Sequence, residues 1–311
     1  MQRMQTFVIN PMSYKIADLE EQFYLSRKAE GRVDETIFYY RQKISRFIQW
    51  LGKCHITEIG AITPAAIRTF LMELSENHNQ GGVHSFYRSI KAFLNWAWFE
   101  YEFEWTNPIT KVKCAAAKFD PIAGVKPEDF DKLFAGAKKG KYPLRDCAII
   151  AVLLDTGIRR SSLAAIRCCD VDLVNGSILI RHAKNGKPYT VYLGKKARQY
   201  VRRYAQTLSE TLDREANFWL SRTGSALDIR SFRFILERAE ERAGIERYSL
   251  HDFRRCFALE AWRNGADVYA VSEMLGHTGI EITKRYLATE EKDRQTIHSK
   301  ISPLDRKMRN K

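Results

Sequence analysis

A histidine and an arginine three residues apart, just inside a helix, can grip a phosphate, and Ser249-Leu250-His251-Asp252-Phe253-Arg254 has that form. Ser249 with Asp252 three residues on is the capping-box pattern, so His251 and Arg254 fall in the first turns of a helix. Their i, i+3 spacing puts both on one face. A helix N-terminus already attracts an anion through its open N–H groups and dipole. The same hexapeptide also serves as an ordinary exposed amphipathic face. In Asp155-Thr156-Gly157-Ile158-Arg159-Arg160 a glycine lets the backbone reverse after a buried helix and presents the next arginine at a fixed place. One arginine from each segment would hold both non-bridging oxygens of a phosphodiester; the plainer alternative is a helix end followed by surface arginines. Lys184 sits beside Asn185-Gly186 at a hairpin tip, either solvated or reaching into a groove. Leu275-Gly276-His277-Thr278 precedes a helix with Thr278 as cap and Glu281 completing a second capping box. On that helix stands Tyr286, one of 14 tyrosines, a residue that in such a helix is more often packing or interface material.

The elements that must position these groups follow from apolar spacing. Asp34 to Leu51 places Ile37, Phe38, Ile44, Phe47, Ile48 and Leu51 near one helical stripe. Thr63-Pro64 opens another helix as cap and first residue, with Ile67, Phe70, Leu71 and Leu74 inward. Val83 to Phe103 puts Phe86, Ile90, Phe93, Leu94 and Ala97 on one side and His84, Arg88, Lys91 and Asn95 on the other. With a helix near Ile16–Lys28 these make a small four-helix bundle. Asn107-Pro108 breaks the pattern, and Lys111 to Gly124 has the mixed polar character of an inter-domain linker. A helix from Pro127 and an apolar one over Leu144–Leu154 come next. A sheet is expected from Val171–Leu173, Ser177–His182 and Tyr189–Leu193, with turns at Asn175-Gly176 and Asn185-Gly186 supplying the positive φ angles of a type I′ hairpin. Helices are expected again over Lys195–Leu208, Asp228–Ala243, Ser249–Asn264, Val268–Leu275 and Thr278–Glu290.

The 311 residues suffice for two domains, and the formal charge is +14. Residues 1–112 carry 13 Lys and Arg against 12 Asp and Glu, and residues 113–311 carry 38 against 25. Any attraction to a polyanion therefore resides mainly in the second part, where neutralised phosphates would release counterions. The six cysteines form no CxxC pair and no zinc spacing, which argues for reduced thiols in a cytoplasmic protein. Neither a secretory signal nor an apolar run of membrane-spanning length is present. There is no P-loop and no carboxylate cluster that would hold two metal ions.

It is the order of the pieces that carries a family likeness. Arg159 after Thr-Gly-Ile, Lys184 in a hairpin, His251-x-x-Arg254, Leu-Gly-His277 and Tyr286 nine residues later resemble the active-site series of the tyrosine recombinases. This is the phage-integrase family, which also includes the Xer-type chromosome-dimer resolvases. The likeness is specific over residues 144–290, nearly continuous from Leu250 to Leu287, and includes Asn264-Gly265-Ala266-Asp267 and Met274-Leu275-Gly276-His277. Over residues 15–110 it rests only on the four-helix organisation.

The resemblance implies that Tyr286 attacks the phosphorus to give a 3′-phosphotyrosine and a free 5′-hydroxyl. Keeping the bond energy in a covalent intermediate splits strand exchange into two similar transfers, with neither ATP nor a metal ion as cofactor. Arg159 and Arg254 would neutralise charge developing on the phosphorane. His251 would exchange a proton with the tyrosine hydroxyl, Lys184 would protonate the leaving 5′-oxygen, and His277 would hydrogen-bond the phosphate. Ser162 stands where the family often has an acidic residue, and Arg255 where it often has histidine. Lys43, Arg46, Arg88, Lys91, Arg160 and Arg255 are the candidate DNA contacts.

The implied fold is mainly α: an N-terminal four-helix core-binding domain at 13–110, a linker at 111–124, a mostly helical catalytic domain with a small antiparallel β-sheet at 125–300, and a basic tail at 301–311. The implied partner is duplex DNA with inverted half-sites, gripped by a two-domain clamp as a homodimer on one site and a homotetramer in the synapse, with nucleoid association and no membrane. Only about a dozen residues precede the first helix, so an arm-binding domain is not expected. The basic tail would pack on a neighbouring subunit and couple the active sites. Other readings are a DNA-binding protein of this fold that does not cut, a type IB topoisomerase, and a basic helical protein that binds RNA or an acidic partner.

Overall fold

In the computed structural model the chain divides into two compact units, Met1–Lys118 and Phe119–Lys311. The structure describes residues 14–115, 124–181, 187–209, 213–277, 279–280, 283, 295, 298 and 302. Outside them lie Lys184 with Asn185 and Gly186, Thr278, Glu281, Tyr286 and most of the helix expected over Thr278–Glu290. The middle of the linker and all of the basic tail except Ser302 also lie outside them.

The first unit is built from α1 (Ile16–Ala29), α2 (Asp34–Lys53), α3 (Pro64–Ser75) and α4 (Gln80–Glu100). Thr63 caps α3 by accepting from the Ala66 N–H, with Pro64 at the first helical position, as its sequence predicts. The α4 helix starts three residues earlier than the apolar spacing suggests, because Asn79 accepts from the Gly82 N–H and caps it there. Phe23, Phe47, Ile90 and Phe93 are fully buried at the centre. The Phe23 ring meets Tyr40, Phe93 and Trp96 edge-on at 5.4–5.6 Å, the geometry that aromatic quadrupoles favour. Asn107 caps a 3-10 turn at Pro108–Lys111, and Ile109 and Val112 remain buried in this unit's core. The chain thus stays packed past Asn107-Pro108, where helical periodicity stops, because two apolar side chains still find a place inside.

The second unit contains α5 (Phe130–Lys138), α6 (Pro143–Thr156), α7 (Arg160–Ala164), strands β1 (Val171–Asp172), β2 (Ser177–Ile180) and β3 (Tyr189–Tyr192), then α8 (Lys195–Ala205), α9 (Ser231–Ala243), α10 (Leu250–Arg263) and α11 (Val268–Met274). Its spine is α6, where every residue from Arg145 to Leu153 is buried. A helix apolar nearly all round must be covered on all sides, and α5, α8 and α10 pack on it. The sheet is antiparallel in the order β1-β2-β3, with Val171 opposite Ile178 and Ile178 opposite Val191. Ile178 and Ile180 face the core while Leu179 faces out.

The β1–β2 turn corrects the type I′ expectation. Asp172 pairs with Ser177, so four residues form the loop. Of the Asn175-Gly176 pair only Gly176 has positive φ, at 70°. The Asp172 carboxylate accepts from the N–H groups of Val174 and Asn175, and this Asx-type turn replaces the tighter hairpin. Among the described residues no helix is long and apolar enough to cross a membrane, and all six cysteines are free thiols.

Candidate active site

Two helix ends and one helix start bring the chemistry-bearing residues of the second unit together. The α6 helix ends at Gly157, whose φ of 57° is left-handed. A Cβ there would lie 2.9 Å from Leu275 and 3.0 Å from Phe257, so backbone conformation and space both require glycine. The reversal delivers Arg159, half-buried, at the start of α7.

The α10 helix begins with the capping box that the sequence predicts: the Ser249 N–H donates to the Asp252 carboxylate at 2.6 Å, and both reciprocal contacts are made. The approach to this cap is tied down at Tyr248. Its N–H donates to buried Glu240 of α9, its hydroxyl donates to Asp129 at 2.6 Å, and its carbonyl accepts from Arg233. Nothing in the sequence pattern singles out these three partners, because they meet across 119, 15 and 8 residues of chain. His251 and Arg254 are thereby held on the first turns of a fixed helix.

The α11 helix closes with a Schellman motif: the Gly276 N–H donates to the Glu273 carbonyl and the His277 N–H to that of Ser272. Gly276 has a φ of 58°, and a Cβ there would meet the Tyr189 ring of β3 at 2.8 Å. His277 therefore projects from a turn clamped between helix and sheet.

These elements converge on one carbonyl. Arg254 donates to the Leu275 carbonyl at 2.6 Å and to the Gly157 carbonyl at 2.8 Å. Arg159 donates to the same Leu275 carbonyl at 3.3 Å and to that of Gly276 at 3.0 Å. Arg254 is only 2 % exposed. These carbonyl dipoles orient both guanidiniums, and a neutral carbonyl does not cancel the charge that it orients.

The imidazoles carry the imprint of that charge. Burial, then the positive charge of Arg254, Arg159 and His251, pushes His277 down to about 3. His251 is also lowered, first by lost hydration and then by Arg255 and Arg254, with Asp252 opposing. Both rings are neutral near pH 7, so each has one N–H and one lone pair. The Nδ1 atom of His277 lies 2.7 Å from the hydroxyl of fully buried Thr283, a contact that sequence spacing does not single out.

The structure thus brings Arg159, His251, Arg254 and His277 together, while Lys184 and Tyr286 lie outside the described residues. Ser162 is buried on α7. Arg160 is exposed beside Arg159, and Arg255 pairs with Asp252 at 2.9 Å. In the first unit Lys43 lies over the rings of Tyr39 and Phe86 at 4.3 and 5.3 Å, and Arg46 over Phe86 at 5.6 Å. On α4, Arg88 is exposed and Lys91 lies over Tyr87 at 5.9 Å. Such an arrangement spreads positive charge over a surface.

Residues 124–293 match the sequence profile of the phage integrase family. The tyrosine recombinase XerC of Oceanobacillus iheyensis is 30% identical, with 81% of this chain and 84% of the relative aligned. The tyrosine recombinase XerA of Thermococcus kodakarensis is 26% identical over 86% of this chain and 89% of its own length. A lambda integrase tetramer solved on a Holliday junction superposes with a TM-score of 0.73 at 14% identity, covering 88% of this chain and 77% of that one. At that identity the likeness is one of fold.

Proposed function

This chain belongs to the phage integrase family and is a tyrosine recombinase, an enzyme of site-specific recombination; from that premise we propose that it cuts and rejoins duplex DNA through Tyr286. The observation that carries the reading is the shared Leu275 carbonyl, at which arginines from positions 159 and 254 are braced beside two neutral imidazoles. A phosphodiester passing to a pentacoordinate phosphorane gains charge on its non-bridging oxygens, and preorganised guanidiniums stabilise that charge more than the ground state.

In the proposed reaction the phenol oxygen of Tyr286 attacks phosphorus and the bond to the 5′-oxygen breaks. The phenol proton passes to His251, whose neutral lone pair suits a base, and Lys184 gives a proton to the departing 5′-oxygen. The 3′-phosphotyrosine keeps the bond energy, so a 5′-hydroxyl from a second strand reverses the step on a new partner. Tyr286 lies three residues after Thr283, which is itself bonded to His277, and this supports a place for the phenol near the arginines.

We further propose the helical first unit as a second DNA-gripping domain, with Lys43, Arg46, Arg88 and Lys91 on phosphates and residues 111–124 as the link to the catalytic domain. Two protomers would sit on inverted half-sites and two such pairs would form the synapse, in line with the tetramer that lambda integrase forms on a Holliday junction. Binding to chromosomal DNA would make the protein nucleoid-associated.

Suicide DNA substrates drawn from the flanks of the native gene test the reading. The wild type should leave a covalent adduct whose peptide map gives phosphotyrosine at 286, and Tyr286→Phe should bind but form none. An adduct at another residue sinks the assignment. Full function in Tyr286→Phe would mean a binding protein without cleavage, and relaxation of plasmid lacking any special site would mean a topoisomerase.

A further inference from the structure

We propose that Thr283 is a positioning residue: its hydroxyl donates to Nδ1 of His277 and so fixes the ring as the tautomer with its proton on Nε2. The inference rests on the reading of His277 as a phosphate ligand, and it adds how a neutral ring is kept able to donate.

The geometry begins with the 2.7 Å separation between His277 Nδ1 and Thr283 Oγ1, a short and therefore well-made hydrogen bond. Distance alone leaves the direction open, because a hydroxyl both donates and accepts. Burial decides it. Thr283 is 0% exposed, and among the described residues its hydroxyl has this one partner. Were Oγ1 only an acceptor from an Nδ1–H, its own hydrogen would be sealed from water without an acceptor, which is the costly kind of unmade bond. Donation to the Nδ1 lone pair leaves only unused lone pairs on Oγ1, a smaller penalty.

The rest of the environment makes the choice matter. The ring is neutral near pH 7, because burial and the charges of Arg254, Arg159 and His251 hold its protonated form down to about pH 3. A neutral imidazole has a single N–H, so a ring with the proton on Nδ1 would present a lone pair at Nε2 and repel a phosphate oxygen. The Schellman turn at Gly276 and the Tyr189 ring against it fix where the backbone of His277 sits, and neither sets the tautomer. The contact at Nδ1 does, and Thr283 makes it. Around metal sites, removing an outer partner that orients a histidine and fixes its tautomer commonly costs about ten- to a hundredfold, and a loss on that scale is expected here.

The test uses the full-length protein with ring-15N histidine. Nitrogen shifts distinguish the two tautomers, and loss of the signal in His277→Gln assigns it. Wild type and Thr283→Ser should show the proton on Nε2, whereas Thr283→Val, similar in shape but without a hydroxyl, should lose that preference. On suicide substrates Thr283→Val should form adduct about ten- to a hundredfold more slowly with DNA affinity retained, and Thr283→Ser should restore most of the rate. A proton on Nδ1 in the wild type would overturn the proposal, as would an unchanged tautomer or an unchanged cleavage rate in Thr283→Val. Thr283→Ser guards against misfolding, since a purely packing role would not be rescued through the tautomer signal. Failure of the underlying reading looks different: His277→Gln itself would then cleave normally.

Discussion

In the first unit Lys43 and Arg46 lie over aromatic rings at the protein surface, whereas in the second Arg254 is sealed from solvent and donates to two backbone carbonyls. The surface cations keep most of their hydration and can shift to meet a phosphate wherever it falls. Arg254 gives up hydration on folding, and its carbonyl partners replace part of that loss while fixing the plane of the guanidinium. The first arrangement suits affinity for a backbone that repeats along the helix axis. The second suits one phosphorus atom at one moment of reaction, where a donor must already be in place. The uneven charge of the chain follows the same division, with 38 basic and 25 acidic residues beyond position 112 against 13 and 12 before it. Charge in excess is thus found in the part of the chain that carries Arg159 and Arg254.

The largest test of this contrast is Arg254→Ala. It should slow covalent-adduct formation by at least about a hundred- to a thousandfold, the scale of removing one preorganised donor, while gel-shift affinity changes far less. It should also lower stability by about 1–3 kcal/mol, because the carbonyls of Gly157 and Leu275 each lose a donor in a buried place. Arg254→Lys keeps the charge but not the planar fork, and should recover stability more than rate. Equal losses of binding and cleavage would erase the distinction between the two kinds of cation.

The complementary change removes the surface charges together, as Lys43→Ala, Arg46→Ala, Arg88→Ala and Lys91→Ala in one chain. Binding should weaken, and the slope of log affinity against log salt should become shallower by roughly 0.9 for each phosphate that is no longer neutralised. Adduct formation at saturating protein should stay near the wild-type rate. An unchanged salt slope would place the grip of the first unit elsewhere on its surface. Slower chemistry within the saturated complex would mean that these residues do more than hold DNA.

Much of this division was legible in the chain. The cap at Thr63-Pro64, the capping box at Ser249 and Asp252, and the Thr-Gly-Ile-Arg159 reversal are local, each set by residues within a few positions, and each forms as its pattern predicts. Two features were not legible. Asn175-Gly176 misdirects because Asp172 offers its carboxylate to the loop N–H groups, a competitor that a dipeptide rule does not weigh. The carbonyls that brace the arginines are invisible for a deeper reason: every residue has one, and only the packing of α6, α10 and α11 selects Gly157, Leu275 and Gly276. The bond between Thr283 and His277 is of the same kind. Side-chain type and spacing identify which groups can react, and long-range packing decides what holds them still.

The smallest effect expected is one of pH on stability, and it separates the braced site from the surface cations. His277 is held down to about 3 in the fold and should return to the ordinary histidine value of about 6.5 when unfolded. Between those values the unfolded chain binds a proton that the folded chain refuses, so stability is full above about pH 6.5 and falls as the solution is acidified. His251 is lowered as well and acts in the same direction, with Asp252 opposing it. The limiting slope for one such proton is about 1.4 kcal/mol per pH unit, and solvent around a partly exposed ring makes it less. Thermal unfolding of the full chain from about pH 7 to pH 5 should therefore show a fall in melting temperature that His277→Gln reduces. The fourfold first-unit variant should keep the whole of it, because none of its changes is at a residue that holds the His277 value down. If His277→Gln left the acid slope intact, the cationic pocket would not be holding that imidazole neutral, and the contrast between hydrated surface charge and buried, oriented charge would lose its clearest electrostatic signature.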